Sequence, residues 1–261
     1  MAIIKQTSLA GVAKLRQQYI QSLSGRPEPF LEELVSCAPS VYAVFHLDEI
    51  CGYFCVSPKG TLLQFYVTEA YLNVAQEIFS EMLSGEYIEK ALVLTRDRVA
   101  LSVTLECMRE VAVDSYVFEE GEHLPTISIE FEDISFRKAT LRDVPAIREA
   151  CGDFHDFLHY TLEGSIASGD IFVLLSGGVV LGTGVIGAKD FQPPYVDIGM
   201  CVNEAYRNRK VGSYIISLLR QECHRQGWIS GASCKRENIA SKKTLEKAGL
   251  ISKDRILRLS F

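Results

Sequence analysis

A loop between an apolar segment and an amphipathic segment carries the residues best suited to bind an anion. The loop and the start of the next segment comprise Arg207, Asn208, Arg209, Lys210, Val211, Gly212 and Ser213. A helix that begins here offers backbone N–H groups without partners inside the helix, and a glycine lets a ligand approach that backbone closely. The loop therefore predicts a site for a phosphate or diphosphate group, with basic side chains close by.

A second stretch with helix-capping residues follows a predicted strand at residues 229–234. Asn238 has a side chain suited to cap a helix start, Ser241 lies in the first turn, and Gly249 is suited to end the helix. Lys243 adds a basic side chain to this segment. We therefore predict, from residue 195 onward, a strand, a helix, a strand, a helix and a closing strand, near residues 195–202, 209–226, 229–234, 238–248 and 256–261.

Both stretches resemble the hallmark motifs of the GNAT superfamily of acyl-CoA N-acyltransferases. That superfamily has (Q/R)-x-x-G-x-(G/A) at the start of one helix, and N-x-x-(A/S) followed by E-K-x-G-(F/L) on a later helix. Here the motifs read RNRKVG at residues 207–212, NIAS at 238–241 and EKAGL at 246–250. Lys210 stands where the first motif glycine is expected, so its side chain either crowds a bound diphosphate or helps to hold it.

The resemblance implies acetyl-CoA as the coenzyme and indicates which residues bind it. The backbone of the strand before the loop would hold the pantetheine and the thioester carbonyl, and the loop would hold the diphosphate. The coenzyme-binding residues assigned in this way are Met200, Cys201, Val202, Arg207, Asn208, Arg209, Lys210, Val211, Gly212, Ser213, Asn238 and Lys243. A diphosphate held by backbone N–H groups needs no metal ion, and we expect none.

Acyl transfer to an amine requires a base, a positioned thioester and a proton for the leaving thiolate. Asp197 precedes the motif arginine by ten residues, where many relatives carry a glutamate that relays the amine proton through water; alternatively it is an ordinary polar residue at a strand edge. Ser241 matches a serine thought to contact the thiol sulfur in some relatives; alternatively it is an ordinary serine in a first helical turn. Leu245 stands where many relatives carry a tyrosine acid.

The histidines and cysteines lack the spacing of a metal site or a disulfide framework. Eight cysteines are present without paired CxxC spacing, mostly in apolar stretches, which favours reduced thiols. A helix is predicted near residues 154–167, and His155 and His159 are interpreted as part of one solvated or half-buried face of it, with a metal pair or a role in the acceptor cleft as alternatives. Cys234 is interpreted as a buried packing residue rather than a reactive thiol.

An internal repeat indicates that the chain contains two copies of one fold. Segment 67–73, VTEAYLN, repeats VNEAYRN at 202–208 with an offset of 135 residues, while segments 8–15 and 50–56 match 140–147 and 180–186 with offsets of 132 and 130. The expected fold is α/β (mixed α+β), with two tandem GNAT-like domains, each a mostly antiparallel mixed sheet flanked by helices. We divide them as residues 1–125 and 126–261, with a linker near Glu119–Thr126.

The first copy lacks the residues that suit the second copy to bind an anion. Leu72 replaces the motif arginine, and no glycine occurs in the following turn. We therefore expect residues 126–261 to be the active domain and residues 1–125 to be a degenerate copy.

Composition excludes several other classes of protein. The chain of 261 residues has a net charge of −6 and no interleaving of basic and aromatic residues, which argues against nucleic acid as a partner. No apolar run approaches the roughly 20 residues that cross a bilayer, and the first residues lack the features of a secretory signal. We expect a cytoplasmic protein, monomeric or homodimeric, without a membrane partner.

The leading hypothesis is an acetyl-CoA-dependent N-acetyltransferase that acts on a primary amine of a small molecule or peptide. The alternative is a noncatalytic acyl-CoA-binding or interaction protein, which would bind CoA without turnover. A purely structural tandem-domain protein would not bind CoA at all. The segments expected to select the acceptor are residues 151–169 and 189–194.

Overall fold

The chain forms two compact units, which are described separately. A computed structural model describes residues 2–37, 40–156 and 160–261, and for residues 188–192 it describes the backbone alone. Unit 1 comprises Met1–Tyr116 together with Asp254–Phe261, and unit 2 comprises Val117–Lys253. The division at residues 125/126 stays a prediction, and unit 1 also includes a segment from a distant part of the chain, Asp254–Phe261.

Unit 1 is a mixed sheet flanked by four helices. The helices are α1 (Ala13–Ser22), α2 (Pro29–Ser36), α3 (Ala75–Ser84) and α4 (Arg98–Cys107). The strands are β1 (Ile3–Thr7), β2 (Ser40–His46), β3 (Glu49–Val56), β4 (Thr61–Val67), β5 (Lys90–Leu94), the first part of β6 (Glu110–Glu120) and the last part of β12 (Leu250–Ser260). Their order is β1-β2-β3-β4-β5-β12-β6.

Unit 2 has the same order of elements along the chain. Its helices are α5 (Val144–Cys151), α6 (Leu162–Ala167), α7 (Val211–Arg225) and α8 (Ile239–Lys247). Its strands are β7 (Ile134–Lys138), β8 (Ile171–Ser176), β9 (Val179–Gln192), β10 (Tyr195–Val202), β11 (Ile229–Lys235) and the remaining parts of β6 and β12. Their order is β7-β8-β9-β10-β11-β6-β12, antiparallel from β7 to β10 and parallel between β10 and β11.

Helices cover both faces of the unit 2 sheet, and successive residues of β9 face them in turn. A Cβ on Gly182 or Gly184 would touch Ile215 of α7, whereas the Thr183 hydroxyl between them lies 3.5 Å from the Cys151 sulfur of α5. The apolar core around α5 includes Ile147, Leu162, Ile171 and Val173, all buried. The two glycines thus allow α7 to pack closely against the strand next to β10.

Several predicted element bounds differ from the observed ones. A helix was expected from residue 154, but α6 begins at Leu162, where the Thr161 side chain accepts a hydrogen bond from Gly164 N and caps the start. The first residues of the expected linker belong to β6, because the Glu120 carboxylate accepts hydrogen bonds from the backbone N–H and hydroxyl of Ser230. The last strand begins at Leu250, six residues before the expected start at Ile256. No helix within the described residues is long and apolar enough to span a membrane.

Candidate functional site

A gap opens between β10 and β11 of unit 2. The two strands pair in parallel only where Tyr195–Asp197 faces Ile229–Gly231. Within the described residues this pairing ends there, although β10 continues to Val202 and β11 to Lys235. The backbone edge of β10 after Asp197 is therefore left without β11 as a partner, which suits it to bind an extended ligand by main-chain hydrogen bonds.

The N-terminus of α7 lies directly after this segment of β10 in sequence. The helix begins at Val211, and no side-chain hydrogen bond caps it within the described residues. Tyr214 N is the first to donate into the helix, to Lys210 O at 3.0 Å, so the N–H groups of Val211, Gly212 and Ser213 lack intrahelical acceptors. This is the arrangement that stabilises an anion at a helix start.

The backbone conformation explains the family's preference for glycine at the position of Lys210. Lys210 and Asn208 both have a φ of 64°, in the left-handed region. This conformation costs a residue with a Cβ about 1–2 kcal/mol, and asparagine tolerates it better than lysine does. The backbone conformation of Lys210 therefore has a free-energy cost that glycine would avoid. The side chain of Lys210 is exposed.

Gly212 has a packing role that the sequence did not indicate. A Cβ here would lie 3.0 Å from Thr244 Cγ2 of α8 and 3.2 Å from Val202 Cγ2 of β10. The glycine is buried, as is the adjacent Ser213. A Cβ at this position would therefore be tight against both α8 and β10, whether or not a ligand is bound.

Asp197 lies on the face of the sheet that α5 covers, at the point where the gap begins. Its partners across the sheet are glycines, Gly187 of β9 and Gly231 of β11. A Cβ on Gly187 would have no neighbour within 4 Å among the described atoms. The half-buried carboxylate is therefore flanked by small residues, which leave room for a substrate or water beside it.

The α8 motif residues have structural contacts of their own. The Asn238 side chain accepts a hydrogen bond from Ser241 N at 3.0 Å and caps the helix. Burial raises the pKa of the Cys234 thiol, and a hydrogen bond with the Ser241 side chain opposes that shift. Leu245 is buried, and its side chain has no proton to donate. Lys243 is exposed.

Thr244 is a candidate residue that sequence reasoning missed. It lies one turn after Ser241, on the side of α8 that faces Gly212 and Val202. The family motif draws attention to Ser241 and Leu245, and the intervening threonine carries no distinctive pattern. The structure thus adds a second hydroxyl close to the start of α7.

Two motif arginines are engaged by neighbouring residues. Arg207 pairs with Glu204 at 3.2 Å, and both side chains are largely exposed. The Arg209 guanidinium lies 4.0 Å from the centre of the Phe131 ring and donates a hydrogen bond to Glu130 O. The segment before β7 therefore helps to position the basic loop, which the sequence did not indicate.

The structure gives His155 a polar partner within unit 2, whereas His159 lies outside the described residues. His155 Nε2 is 2.7 Å from Thr183 Oγ1, and burial lowers the pKa of this histidine to about 4. It is therefore neutral near pH 7. No cluster of three or more metal-ligating side chains occurs within the described parts of the chain.

Unit 1 has the same divergence of strands, but its side chains fill the space between them. Among the residues that the structure describes, β4 and β5 pair only at 61–62 with 90–91. The space beyond is filled by side chains, including Gln64, which donates a hydrogen bond to Glu32 at 2.5 Å. A cavity of about 10 Å³ remains, enough for a single water molecule at most. Glu77 lies in the first turn of α3, where it would repel an anion.

The sequence of each unit matches a family model. Residues 8–121 match the acetyltransferase (GNAT) domain, and residues 136–250 match the acetyltransferase (GNAT) family. The chain belongs to the GNAT acetyltransferases. Membership in the GNAT family indicates acyl-CoA-dependent N-acetyltransferase activity, and it confirms the prediction of two tandem GNAT domains.

Solved structures share the GNAT fold over nearly the whole chain. A GNAT-family acetyltransferase from Colwellia psychrerythraea has a TM-score of 0.88 at 22% identity, covering 99% of each chain. A GCN5-related N-acetyltransferase from Sphaerobacter thermophilus has a TM-score of 0.68 at 13% identity, covering 99% of this chain and 95% of its own. A tandem GNAT protein from the clavulanic acid biosynthesis pathway has a TM-score of 0.62 at 10% identity, covering 100% and 98%. No curated protein sequence matches the chain.

Proposed function

We propose that unit 2 transfers an acetyl group from acetyl-CoA to a primary amine of a small molecule or peptide, and that unit 1 has no CoA site. The observation that carries this proposal is the gap between β10 and β11 beside the uncapped start of α7. Met200, Cys201 and Val202 would contact the pantetheine through their backbone. The diphosphate would bind at residues 207–213, with Asn238 and Lys243 near the rest of the coenzyme.

Asp197 would act as the base in this reaction. Its carboxylate accepts a proton from the amine through water as the new N–C bond forms at the thioester carbonyl. The space next to Gly187 supports this role, because an amine and a water molecule both need access to the carboxylate. Holding the amine at this position also supplies the orientation on which such transfers depend.

Ser241 would donate a proton to the sulfur as the C–S bond breaks. Its hydroxyl forms a hydrogen bond with the thiol of Cys234 in the free protein, and it would exchange that partner for the coenzyme sulfur. Thr244 is a second hydroxyl on α8 that could serve instead, which makes a comparison of the two positions informative.

The reaction is proposed to take place in the cytoplasm. All eight cysteines, each within the described residues, are free thiols. Free thiols in this number suit a reducing compartment. The amine acceptor would enter beside α5 and Asp197.

The test is a titration of the full chain with acetyl-CoA, followed by turnover measurements on a panel of amines. Lys210→Glu adds negative charge at an exposed position of the proposed diphosphate site, so we expect at least a tenfold loss of affinity, which corresponds to about 1.4 kcal/mol. Lys138→Glu makes the same change of charge at an exposed position of β7 and should bind normally. Equal affinity in both variants would contradict the site. Binding without turnover on any amine would favour a noncatalytic acyl-CoA-binding protein.

A further inference from the structure

Three tyrosines fill the space between α1 and the sheet in unit 1. Tyr19 of α1 lies with its ring centre 6.3 Å from that of Tyr53 and 6.1 Å from that of Tyr66, and the last two are 6.1 Å apart. Tyr53 and Tyr66 face each other directly across β3 and β4. The three rings therefore form one packed aromatic group.

The corresponding positions in unit 2 carry two thiols and a hydroxyl. The repeat offsets of 132, 130 and 135 residues relate the tyrosines to Cys151, Thr183 and Cys201 respectively. Thr183 and Cys201 face each other across β9 and β10, as the tyrosines do in unit 1. Small polar side chains thus replace bulky rings on the face of the sheet that carries Asp197.

The two thiols of this cluster are in contact. The Cys151 sulfur lies 3.5 Å from Thr183 Oγ1, and the Cys201 sulfur lies 4.0 Å from the backbone oxygen of Cys151. The thiol of Cys201 also forms a hydrogen bond with the Cys151 side chain. Both cysteines are half-buried, so small reagents have access to them.

The surroundings make the two thiols chemically different. The hydrogen bond with Cys201 lowers the pKa of Cys151, and hydrogen bonds with Thr183 act in the same direction, whereas the positive charge of Arg207 lowers the pKa of both thiols. The same hydrogen bond, together with burial, raises the pKa of Cys201. A thiolate is the reactive form of cysteine, so Cys151 is the nucleophile of the pair and Cys201 is the thiol that can react with it afterwards.

We propose that Cys151 and Cys201 form an oxidation site, at which hydrogen peroxide or an organic peroxide converts the two thiols into one disulfide. The Cys151 thiolate attacks one peroxide oxygen, the O–O bond breaks, and a sulfenic acid forms. The Cys201 thiol then attacks that sulfur, the S–S bond forms, and water leaves. In total the protein loses two hydrogen atoms, and hydrogen peroxide is reduced to two molecules of water.

The disulfide would also control acyl transfer, and this consequence rests on the proposed function. Cys201 lies in the part of β10 that borders the gap, and Cys151 is the last residue of α5. A covalent bond between them would tie α5 to β10 beside the proposed thioester site. We therefore expect oxidation to abolish turnover, and a dithiol reductant to restore it.

The test is peptide mapping of the full chain by mass spectrometry after hydrogen peroxide treatment and alkylation. We expect a cross-linked pair of peptides containing Cys151 and Cys201, and the loss of two of the eight free thiols. The Cys201→Ser variant should instead accumulate a sulfenic acid at Cys151 that dimedone traps. Cys107→Ser is a matched control at a half-buried thiol of unit 1 and should retain the cross-link.

Oxidation of Cys151 at the same rate as Cys107, or its oxidation without the cross-link, would overturn the proposal. Mapping of the unmutated protein decides this even if a variant fails to fold. The turnover measurement is separate. A cross-link in a protein that never acetylates an amine would contradict the proposed function and leave the oxidation site supported, whereas undiminished turnover of the cross-linked protein would refute the control of acyl transfer.

Discussion

Cγ2 of Thr244 lies 3.0 Å from the point that a Cβ on Gly212 would occupy. Gly212→Ala would stabilise α7 by about 1 kcal/mol through helix propensity, but its new methyl group would crowd the methyl group of Thr244. We expect the single variant to be no more stable than the parent, and Gly212→Ala to be less destabilising in a Thr244→Ser background, where the 3.2 Å contact with Val202 Cγ2 remains. Denaturant unfolding in a double-mutant cycle measures this coupling. Strictly additive effects would show that the contact does not restrict this position.

Lys210 separates the effect of backbone strain from that of charge. Lys210→Gly relieves the left-handed conformation and should raise the unfolding free energy by about 1 kcal/mol, whereas Lys210→Ala should not. Both variants lose the ammonium group. If this group holds the diphosphate, both should bind acetyl-CoA a few-fold more weakly than the parent. If the Lys210 side chain instead crowds the diphosphate, Lys210→Gly should bind acetyl-CoA more tightly than the parent does. Calorimetric titration distinguishes the two outcomes.

Asp97 makes the stability of unit 1 dependent on pH. Burial raises the pKa of this carboxyl group to about 6, while its usual unfolded value is about 3.9. Between these values the folded protein binds more protons than the unfolded chain, so its unfolding free energy should fall as pH rises from 5 to 7. Asp97→Asn keeps a cap for α4 and should weaken this dependence. Burial also raises the pKa of Glu32, so part of the slope should persist. Unfolding curves at several pH values provide the measurement, and an unchanged slope in the variant would argue against Asp97.

Asp197→Asn should change the pH profile of turnover. If the carboxylate relays the amine proton, the rise in rate toward alkaline pH should become flatter between about pH 6 and 9. Glu132→Gln, a carboxylate exchange at an exposed residue before β7, serves as the control. A parent-like profile for Asp197→Asn would assign proton removal to solvent.

Ser241→Ala should lower kcat and kcat/KM together with little change in acetyl-CoA affinity. A proton donor to the leaving sulfur acts mainly as negative charge develops there, so its loss affects the transition state more than the bound substrate. Thr244→Val tests the other hydroxyl on α8 with nearly the same side-chain volume. A larger loss of kcat from Thr244→Val would transfer the role of acid to that residue.

The sequence was sufficient to predict the elements around the site. The strand at Tyr195–Val202 has the predicted bounds, and α7 and α8 begin within two residues of their expected starts. Local patterns are informative here because capping residues, apolar periodicity and terminal glycines all act over a few positions. The same local signals identify the motif residues, because those residues lie at the starts of α7 and α8.

Contacts between distant segments could not be predicted in this way. The packing of Thr244 against Gly212 and the ring of Phe131 under Arg209 depend on how elements pack together, which no local pattern encodes. Cys151 and Cys201 are 50 residues apart in sequence and meet only through the sheet. The repeat aligns Cys151 and Cys201 with Tyr19 and Tyr66 of unit 1. That alignment alone does not show that the two thiols are close, because the register of the strands is needed to place them together.

Unit 1 includes residues that are synthesised after the whole of unit 2. Residues 254–261 supply a strand between β5 and β6, and they leave the ribosome after every other part of that unit. Ile256 pairs with Leu94, a separation of more than 160 residues, which makes this pairing slow to form on the nascent chain. The sheet of unit 1 therefore stays incomplete while the whole of unit 2 is translated. Chaperones that protect unpaired strand edges would have their longest opportunity to bind at β5.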